Sequence, residues 1–156
     1  MATPEAGTAE AAKHVTIQCQ FCNTWNRVDA TRAANRPRCG NCARPLLLDR
    51  PVPLNAETFQ RTIESSEVPV LVDFYADWCG PCKVMAPAID AVAAAHQGRA
   101  LVGKLDTDRA PALVDRYQIR GIPTVILFDH GKEVARQTGA APRRTLEELL
   151  ARLGTQ

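Results

Sequence analysis

Six cysteines, all arranged as Cys-x-x-Cys pairs, constrain this chain of 156 residues more than any other feature. The pairs are Cys19/Cys22, Cys39/Cys42 and Cys79/Cys82. Residues 1–12 have no basic start and no apolar core, so we expect no secretory signal and a cytoplasmic, reducing environment. In such a compartment, paired cysteines indicate metal binding or redox catalysis more often than a disulfide framework.

The first two pairs have the spacing of a structural zinc site. Sixteen residues separate Cys22 from Cys39, which fits the pattern of two Cys-x-x-Cys pairs around one metal ion. Four thiolates can complete a tetrahedral shell around Zn²⁺, and a segment of about 35 residues needs such support because its own core is small. Redox disulfides or free thiols are the alternatives, and a four-cysteine site could also hold iron. We interpret residues 14–48 as a module that binds one zinc ion through Cys19, Cys22, Cys39 and Cys42.

Arginines are frequent around these cysteines. Six of them lie between positions 27 and 50, against two aspartates, Asp29 and Asp49. They could mark a nucleic-acid-binding ribbon, or they could balance the negative charge of four thiolates around Zn²⁺. The net charge of the whole chain is only +2, which favours neither nucleic acid nor a membrane surface as a partner. No apolar run approaches the roughly 20 residues of a transmembrane helix.

The remaining chain alternates helix and strand signals. Residues 1–13 have little to bury and are predicted to be a flexible leader, and the prolines of residues 49–54 predict a stiff linker. From residue 55 to 156 we predict a second domain. Its helices are predicted at 55–65, 79–97, 111–117 and 145–153, and its strands at 70–76, 101–105, 124–128 and 133–138. This alternation predicts a layered α/β fold with a mixed sheet, in which the last two strands form a hairpin.

The third cysteine pair lies where a buried strand gives way to a helix. A helix N-terminus stabilises a thiolate, and two cysteines three residues apart share a helix face within disulfide reach. Pro81 stiffens the turn, and the other four cysteines already complete a metal site. We predict that Cys79, nearer the exposed end, attacks substrate disulfides and that Cys82 is the resolving thiol. A purely structural Cys-x-x-Cys pair is the alternative.

Two charged residues occupy strand positions where charge is unexpected. Asp73 lies within an apolar strand, where burial should raise its pKa and fit it to accept the proton of Cys82. Lys104 lies in the next strand and could pair with Asp73 if the two strands are neighbours. The alternatives are that Asp73 faces a polar gap and that Lys104 is an exposed edge residue.

Several motifs in order along the chain resemble those of the thioredoxin family. Residues 72–83, Val-Asp-Phe-Tyr-Ala-Asp-Trp-Cys-Gly-Pro-Cys-Lys, are similar to the family's active-site stretch. Residues 85–87, 104–106 and 119–124 also match, so the resemblance covers residues 52–156. It implies a thioredoxin fold, a mixed central sheet flanked by helices. With a small zinc-ribbon-like module of four cysteines in front, the chain resembles the zinc-containing thioredoxin 2 group of bacteria. Tyr75 departs from the tryptophan that the family commonly has.

The resemblance also implies a function and its residues. Cys79 and Cys82 would be the redox pair, Asp73 the buried acid and Lys104 its neighbour. The substrate-binding residues would be Trp78, Gly80, Pro81, Ile122 and a cis Pro123. The expected function is a monomeric protein-disulfide reductase that maintains redox homeostasis, binds no organic cofactor and is re-reduced by NADPH-dependent thioredoxin reductase.

Two other functions belong to different classes. A redox-controlled chaperone or adaptor would act through the zinc module, whose oxidation would release the metal. A periplasmic thiol oxidant is disfavoured by the expected cytoplasmic location and by the Gly-Pro pair between Cys79 and Cys82.

Overall fold

The computed structural model describes residues 12–153, which form two β-sheets and four α-helices. The strands are β1 (His14–Gln18), β2 (Trp25–Asp29), β3 (Val52–Leu54), β4 (Val70–Tyr75), β5 (Leu101–Asp106), β6 (Thr124–Asp129) and β7 (Lys132–Thr138). β1 and β2 form an antiparallel hairpin, and the other strands form a sheet in the order β3-β5-β4-β6-β7. β3, β4 and β5 run parallel, whereas β6 and β7 are antiparallel to their neighbours. The predicted mixed sheet is therefore confirmed.

Helices cover both faces of the large sheet. They are α1 (Phe59–Ser65), α2 (Gly80–Ala95), α3 (Pro111–Arg116) and α4 (Arg143–Ala151). Successive side chains of β4 alternate between faces, so Val72 packs with α1 and α3 while Leu71 packs with α2 and α4. Asp73, two residues after Leu71, lies on the α2 side. No helix within residues 12–153 is long and apolar enough to cross a membrane.

The observed elements differ from the predicted ones mainly at their ends. α1 begins at Phe59 because Asn55 forms a turn ahead of the helix, where its side-chain oxygen accepts hydrogen bonds from the amides of residues 57 and 58. The segment predicted as a linker contains β3, in which Val52 and Leu54 are buried and Pro53 is exposed. Proline is compatible with this strand because β3 is an edge strand. The leader predicted for residues 1–13 falls largely outside the described residues.

The cysteine-bearing segment, residues 14–48, packs directly on α1 and shares one apolar core with the large sheet. Val15 and Ile17 of β1 join the same buried cluster as Phe59 and Ile63 of α1. Two hydrogen bonds support this packing. The Glu67 amide donates to the His14 carbonyl oxygen over 2.8 Å, and the His14 amide donates to the Glu67 carboxylate over 2.7 Å. This segment is therefore packed through β1 against α1 and the loop that follows it.

Candidate active site and metal centre

Cys79 and Cys82 form a disulfide at the start of α2. β4 ends at Tyr75, and a turn brings Cys79 to the N-cap position of the helix. The amide of Cys82 donates to the sulfur of Cys79 over 3.2 Å. When the disulfide is reduced, this amide and the positive end of the helix favour the thiolate form of Cys79.

The surroundings of the two cysteines differ, although both residues are only 4% exposed in the disulfide form. The sulfur of Cys79 lies 3.8 Å from the carbonyl oxygen of Ile122, which precedes Pro123 across a cis peptide bond. Cys82 instead lines a cavity of about 250 Å³ together with Asp73. One sulfur therefore faces the proline loop and the other faces the buried acid.

Asp73 is a buried acid in an apolar setting. Its residue is 7% exposed, and one carboxylate oxygen has no hydrogen-bond partner among residues 12–153. Burial above all raises the pKa of Asp73 to about 7, with the charge of Lys104 acting to lower it and that of Asp90 to raise it. Lys104 lies opposite Asp73 in the parallel pair of β4 and β5, but its side chain is exposed, so the predicted pairing of the two charges stays a prediction. Asp73 can hold or release a proton close to neutral pH.

An exposed aromatic side chain lies beside the disulfide. Trp78 is 69% exposed, and its indole nitrogen donates to the Asp108 carboxylate over 2.8 Å. Ile122 packs against the cysteine pair, and the Pro123 carbonyl oxygen accepts a hydrogen bond from the Gly139 amide over 2.8 Å. Gly80 and Pro81 belong to the first turn of α2. Asp108 was not predicted from the sequence, because only the fold brings the segment after β5 next to Trp78.

The other four cysteines gather into one cluster. All four sulfurs of Cys19, Cys22, Cys39 and Cys42 lie within 4.8 Å of one another. Cys19 and Cys42 are 3.7 Å apart and Cys22 and Cys39 are 3.6 Å apart, measured between sulfurs. A zinc ion with bonds of about 2.3 Å to each sulfur places tetrahedral sulfurs about 3.8 Å apart. The donor set and its spacing therefore fit a zinc ion.

The two pairs of this cluster repeat the same local geometry. In each pair the amide two residues after the first cysteine donates to that cysteine's sulfur over 3.4 Å. The residues four positions on, Asn23 and Ala43, adopt positive φ angles of 64° and 65°. Such turns direct amides at sulfur, and amide hydrogen bonds stabilise the thiolates that a metal requires.

Asn26 of β2 contacts the second of these turns. Its side-chain nitrogen lies 3.5 Å from the Cys39 sulfur, and its side-chain oxygen accepts from the Gly40 amide over 2.9 Å. Asn26 was not among the residues predicted from the sequence, where it is marked only as a polar residue inside a short run of strand-forming residues.

The fold and the redox pair together define a class of protein. A disulfide between two cysteines at a helix N-terminus, set against a proline loop on a mixed α/β sheet, is the site of a thiol-disulfide oxidoreductase. The family model described as Thioredoxin matches residues 50–152, and the chain belongs to the thioredoxin family.

Known relatives agree with this assignment. The chain is 42% identical over 131 residues to thioredoxin C-3 of Corynebacterium nephridii, covering 84% of this chain and 88% of that protein. It is 44% identical over 93 residues to thioredoxin 1 of a Nostoc species, covering 60% of this chain and 87% of that protein. The first match is longer than the segment from residue 50 to the C-terminus, so it extends into the cysteine module.

Solved structures show the same fold. A point-mutant thioredoxin from Halobacterium salinarum NRC-1 matches with a TM-score of 0.62 and 35% identity over 67% of this chain and 91% of that chain. Chloroplastic thioredoxin z matches with a TM-score of 0.62 and 31% identity over 69% of this chain and 96% of that chain. Both matches cover most of a thioredoxin and about two thirds of this chain.

Proposed function

We propose that this thiol-disulfide oxidoreductase acts as a protein-disulfide reductase in the cytoplasm and maintains redox homeostasis there. The observation that carries the proposal is the placement of the cysteine pair: Cys79 faces the Ile122–Pro123 loop, and Cys82 faces the cavity of Asp73. A disulfide bond of a protein substrate can approach Cys79 from the loop side. The proton of Cys82 can leave on the cavity side.

The reaction proceeds in two thiol-disulfide exchanges. The Cys79 thiolate attacks one sulfur of the substrate disulfide, forming a mixed disulfide and releasing the other sulfur as a thiolate that takes a proton from water. Ionised Asp73 then accepts the proton of Cys82, whose thiolate attacks the sulfur of Cys79. The bond to the substrate breaks, its second sulfur leaves as a thiolate that is protonated to the thiol, and Cys79 and Cys82 are joined. Two electrons have passed to the substrate, and NADPH-dependent thioredoxin reductase would return them.

The surface around Cys79 would hold the substrate backbone. We assign this role to Trp78, Gly80, Pro81, Ile122 and Pro123, which surround the cysteine pair. The Cys79 sulfur lies 3.8 Å from the carbonyl oxygen of Ile122, so a substrate cysteine joined to Cys79 would lie against the same loop. Lys104 would adjust the proton affinity of Asp73 through its charge.

The cysteine module would have a structural role. We propose that residues 14–48 form a zinc-binding module and residues 55–156 the redox domain, and that Cys19, Cys22, Cys39 and Cys42 hold one zinc ion. The ion would fix the β1–β2 hairpin and take no part in electron transfer. The fit of the four sulfurs to a tetrahedron supports this assignment.

An insulin-reduction assay with serine variants tests the redox assignment. Cys79→Ser should abolish reduction, because the attacking thiolate is lost. Cys82→Ser should trap a mixed disulfide with substrate, detectable as a higher-mass adduct that disappears with dithiothreitol. Cys39→Ser, in the proposed metal site, is the matched control and should still reduce insulin, because Cys79 and Cys82 are both intact. Wild-type protein that reduces insulin no faster than Cys79→Ser would contradict the proposal.

A second candidate function is a redox-controlled chaperone or adaptor. Cys22 and Cys42 are only partly buried, so an oxidant can reach them. Hydrogen peroxide would oxidise two thiolates to a disulfide, be reduced to water and release zinc. Peroxide should then release one zinc ion per chain and change binding of an unfolded client protein. Zinc retained under conditions that close the Cys79–Cys82 disulfide would exclude the switch.

A further inference from the structure

A polar cleft of about 420 Å³ lies between the cysteine module and the loop that precedes Trp78. We call it the module cleft. The module contributes one wall, α1 and β3 contribute the floor, and the ends of β4 and β5 contribute the other wall. Its principal lining residues are Gln18, Gln20, Asn23, Thr62, Asp77 and Arg109. A thioredoxin that has no such module would lack the first wall.

The module cleft opens close to the redox pair. Asp77, on its far wall, directly precedes Trp78 and Cys79 in the chain. Tyr75 and Asp77 line both the cleft and the cavity that contains Asp73 and Cys82. A polypeptide joined to Cys79 through a disulfide therefore needs only a few further residues to reach the cleft.

The lining of the cleft suits a peptide backbone better than an ion. Gln18, Gln20 and Asn23 carry side-chain amides with both donors and acceptors, of which the Gln18 nitrogen already donates to the Asn23 carbonyl oxygen over 3.0 Å. The charged side chains of the far wall are partly neutralised by one another, since the Arg109 guanidinium lies 3.7 Å from the Asp106 carboxylate. Main-chain amides of an extended segment have the matching donors and acceptors.

The floor of the cleft has a polar group that needs a partner. Thr62 is 1% exposed, and its hydroxyl has no hydrogen-bond partner among residues 12–153. A buried hydroxyl without a partner destabilises a fold unless a water or a ligand satisfies it. A water or a polar group of a bound peptide segment would satisfy the Thr62 hydroxyl at the floor of the cleft.

We propose that the module cleft binds the extended polypeptide segment that flanks the disulfide of a protein substrate. The inference rests on the proposed reductase function, because the segment belongs to the disulfide substrate. The module then contributes to substrate selection as well as to stability. Substrates with a flexible segment beside the disulfide are favoured over small disulfides.

Two synthetic peptide disulfides of different length test this proposal. The long one carries about eight residues on each side of its cystine, up to roughly 26 Å of extended chain, and the short one about two residues. Thr62→Val removes the buried hydroxyl while keeping the shape, and Gln20→Trp fills the cleft from the exposed module side. For both variants the ratio of kcat/KM for the long peptide to that for the short peptide should fall about threefold to tenfold, as loss of one or two hydrogen bonds predicts, through a higher KM.

Matched controls are available away from the cleft. Thr145→Val on α4 and Gln137→Trp on β7 make the same chemical changes and should leave the ratio unchanged. An unchanged ratio in both cleft variants, or an equal loss for both peptides, would overturn the cleft proposal. Failure of wild-type protein to reduce either peptide would instead overturn the proposed function.

Discussion

Asp73 is a carboxyl group in buried, apolar surroundings, whereas carboxyl groups are usually exposed to water. A carboxyl group that is 7% exposed and lacks a partner for one oxygen is unfavourable when ionised, which raises its pKa to about 7. Lys104 and Asp90 are the charged groups that act on it, in opposite directions. Asp73 needs such a pKa to accept the proton of Cys82, because a carboxylate whose pKa lies far below the working pH is too weak a base.

Substituting Asp73 by asparagine should change how stability depends on pH. Below about pH 4 the carboxyl is protonated in both the folded and the unfolded chain. Between about 4 and 7 the unfolded chain releases the proton first, so the wild-type fold loses about 1.4 kcal/mol for each pH unit, and the loss stops above about 7. Asp73→Asn removes this loss.

Urea denaturation at pH 5.5 and pH 8.5 measures the effect. The difference in free energy of unfolding, Asp73→Asn minus wild type, should be about 2 kcal/mol larger at pH 8.5 than at pH 5.5, because only the wild-type fold loses stability over this range. Asp115→Asn on the surface of α3 is the control and should show a constant difference. A constant difference for Asp73→Asn as well would mean that the pKa of Asp73 is not raised.

Lys104 should lower the pKa of Asp73 from across the strand pair. Replacing it with glutamine removes the positive charge, so the pKa of Asp73 should rise further, by less than about one unit because Lys104 is exposed to solvent. A carboxyl-carbon NMR titration of Asp73 measures the shift. Lys132→Gln, on the strand β7, should leave the titration unchanged, and no rise in Lys104→Gln would remove Lys104 from the proposed site.

At the scale of elements, the cysteine module packs on α1 and on the loop that follows α2. The Arg61 guanidinium of α1 lies 4.3 Å above the Trp25 ring of β2, a cation–π contact between the two parts of the chain. After α2, Gly98 adopts a φ of 89° and approaches the module backbone at Ala30. These contacts fix the module at two separate places.

Gly98→Ala should weaken the packing of the module. A β-carbon at this position would lie 3.0 Å from the Ala30 carbonyl oxygen, and the positive φ is itself unfavourable for alanine. The free energy of unfolding should fall by about 1–3 kcal/mol in urea denaturation. Gly80→Ala is the matched control, because its added carbon meets nothing within 4 Å and its φ is not positive. Equal stability of the two variants would show that the contact at Ala30 is relaxed in solution.

For the whole molecule, the shared core implies that the cysteine module and the redox domain depend on each other. Module residues and redox-domain residues lie in one buried cluster, which includes Val15, Ile17, Leu46 and Leu48 from the module and Phe59, Val72 and Phe128 from the redox domain. The opposite face, between α2 and α4, forms a separate cluster without module residues among those described. Loss of the module's structure should therefore affect one face of the sheet more than the other.

Removal of the proposed zinc ion should reveal this difference. A chelator applied under reducing conditions should release one zinc ion per chain and increase hydrogen exchange at the amides of β1, β2 and α1. Amides of α4, on the opposite face, should keep their protection. Hydrogen exchange followed by mass spectrometry, with the released zinc measured by a colorimetric dye, gives both results. An increase confined to β1 and β2 would show that the shared core does not couple the two parts.

Much of the fold could be predicted from the sequence, because the residue patterns that specify its strands, turns and helices are local. A run of apolar residues followed by Cys79-Gly80-Pro81-Cys82 specifies a strand, a turn and a helix start. The pairing of β4 with β5, which the sequence left as a condition, is observed and places Asp73 opposite Lys104. Element ends were less predictable, since the Asn55 turn and the edge strand β3 depend on contacts that the sequence pattern does not display.

By itself, the sequence determined which cysteines come together, because the pair spacings predict one cluster of four that could hold a metal ion and one separate pair at a helix start, as the structure has them. Only the tertiary structure decided which groups face them. The Ile122 carbonyl beside Cys79, the Asp108 carboxylate on Trp78 and the Asn26 side chain against the Cys39 turn are all contacts between residues apart in sequence. The module cleft has the same origin, since its walls meet only when β1 packs on α1.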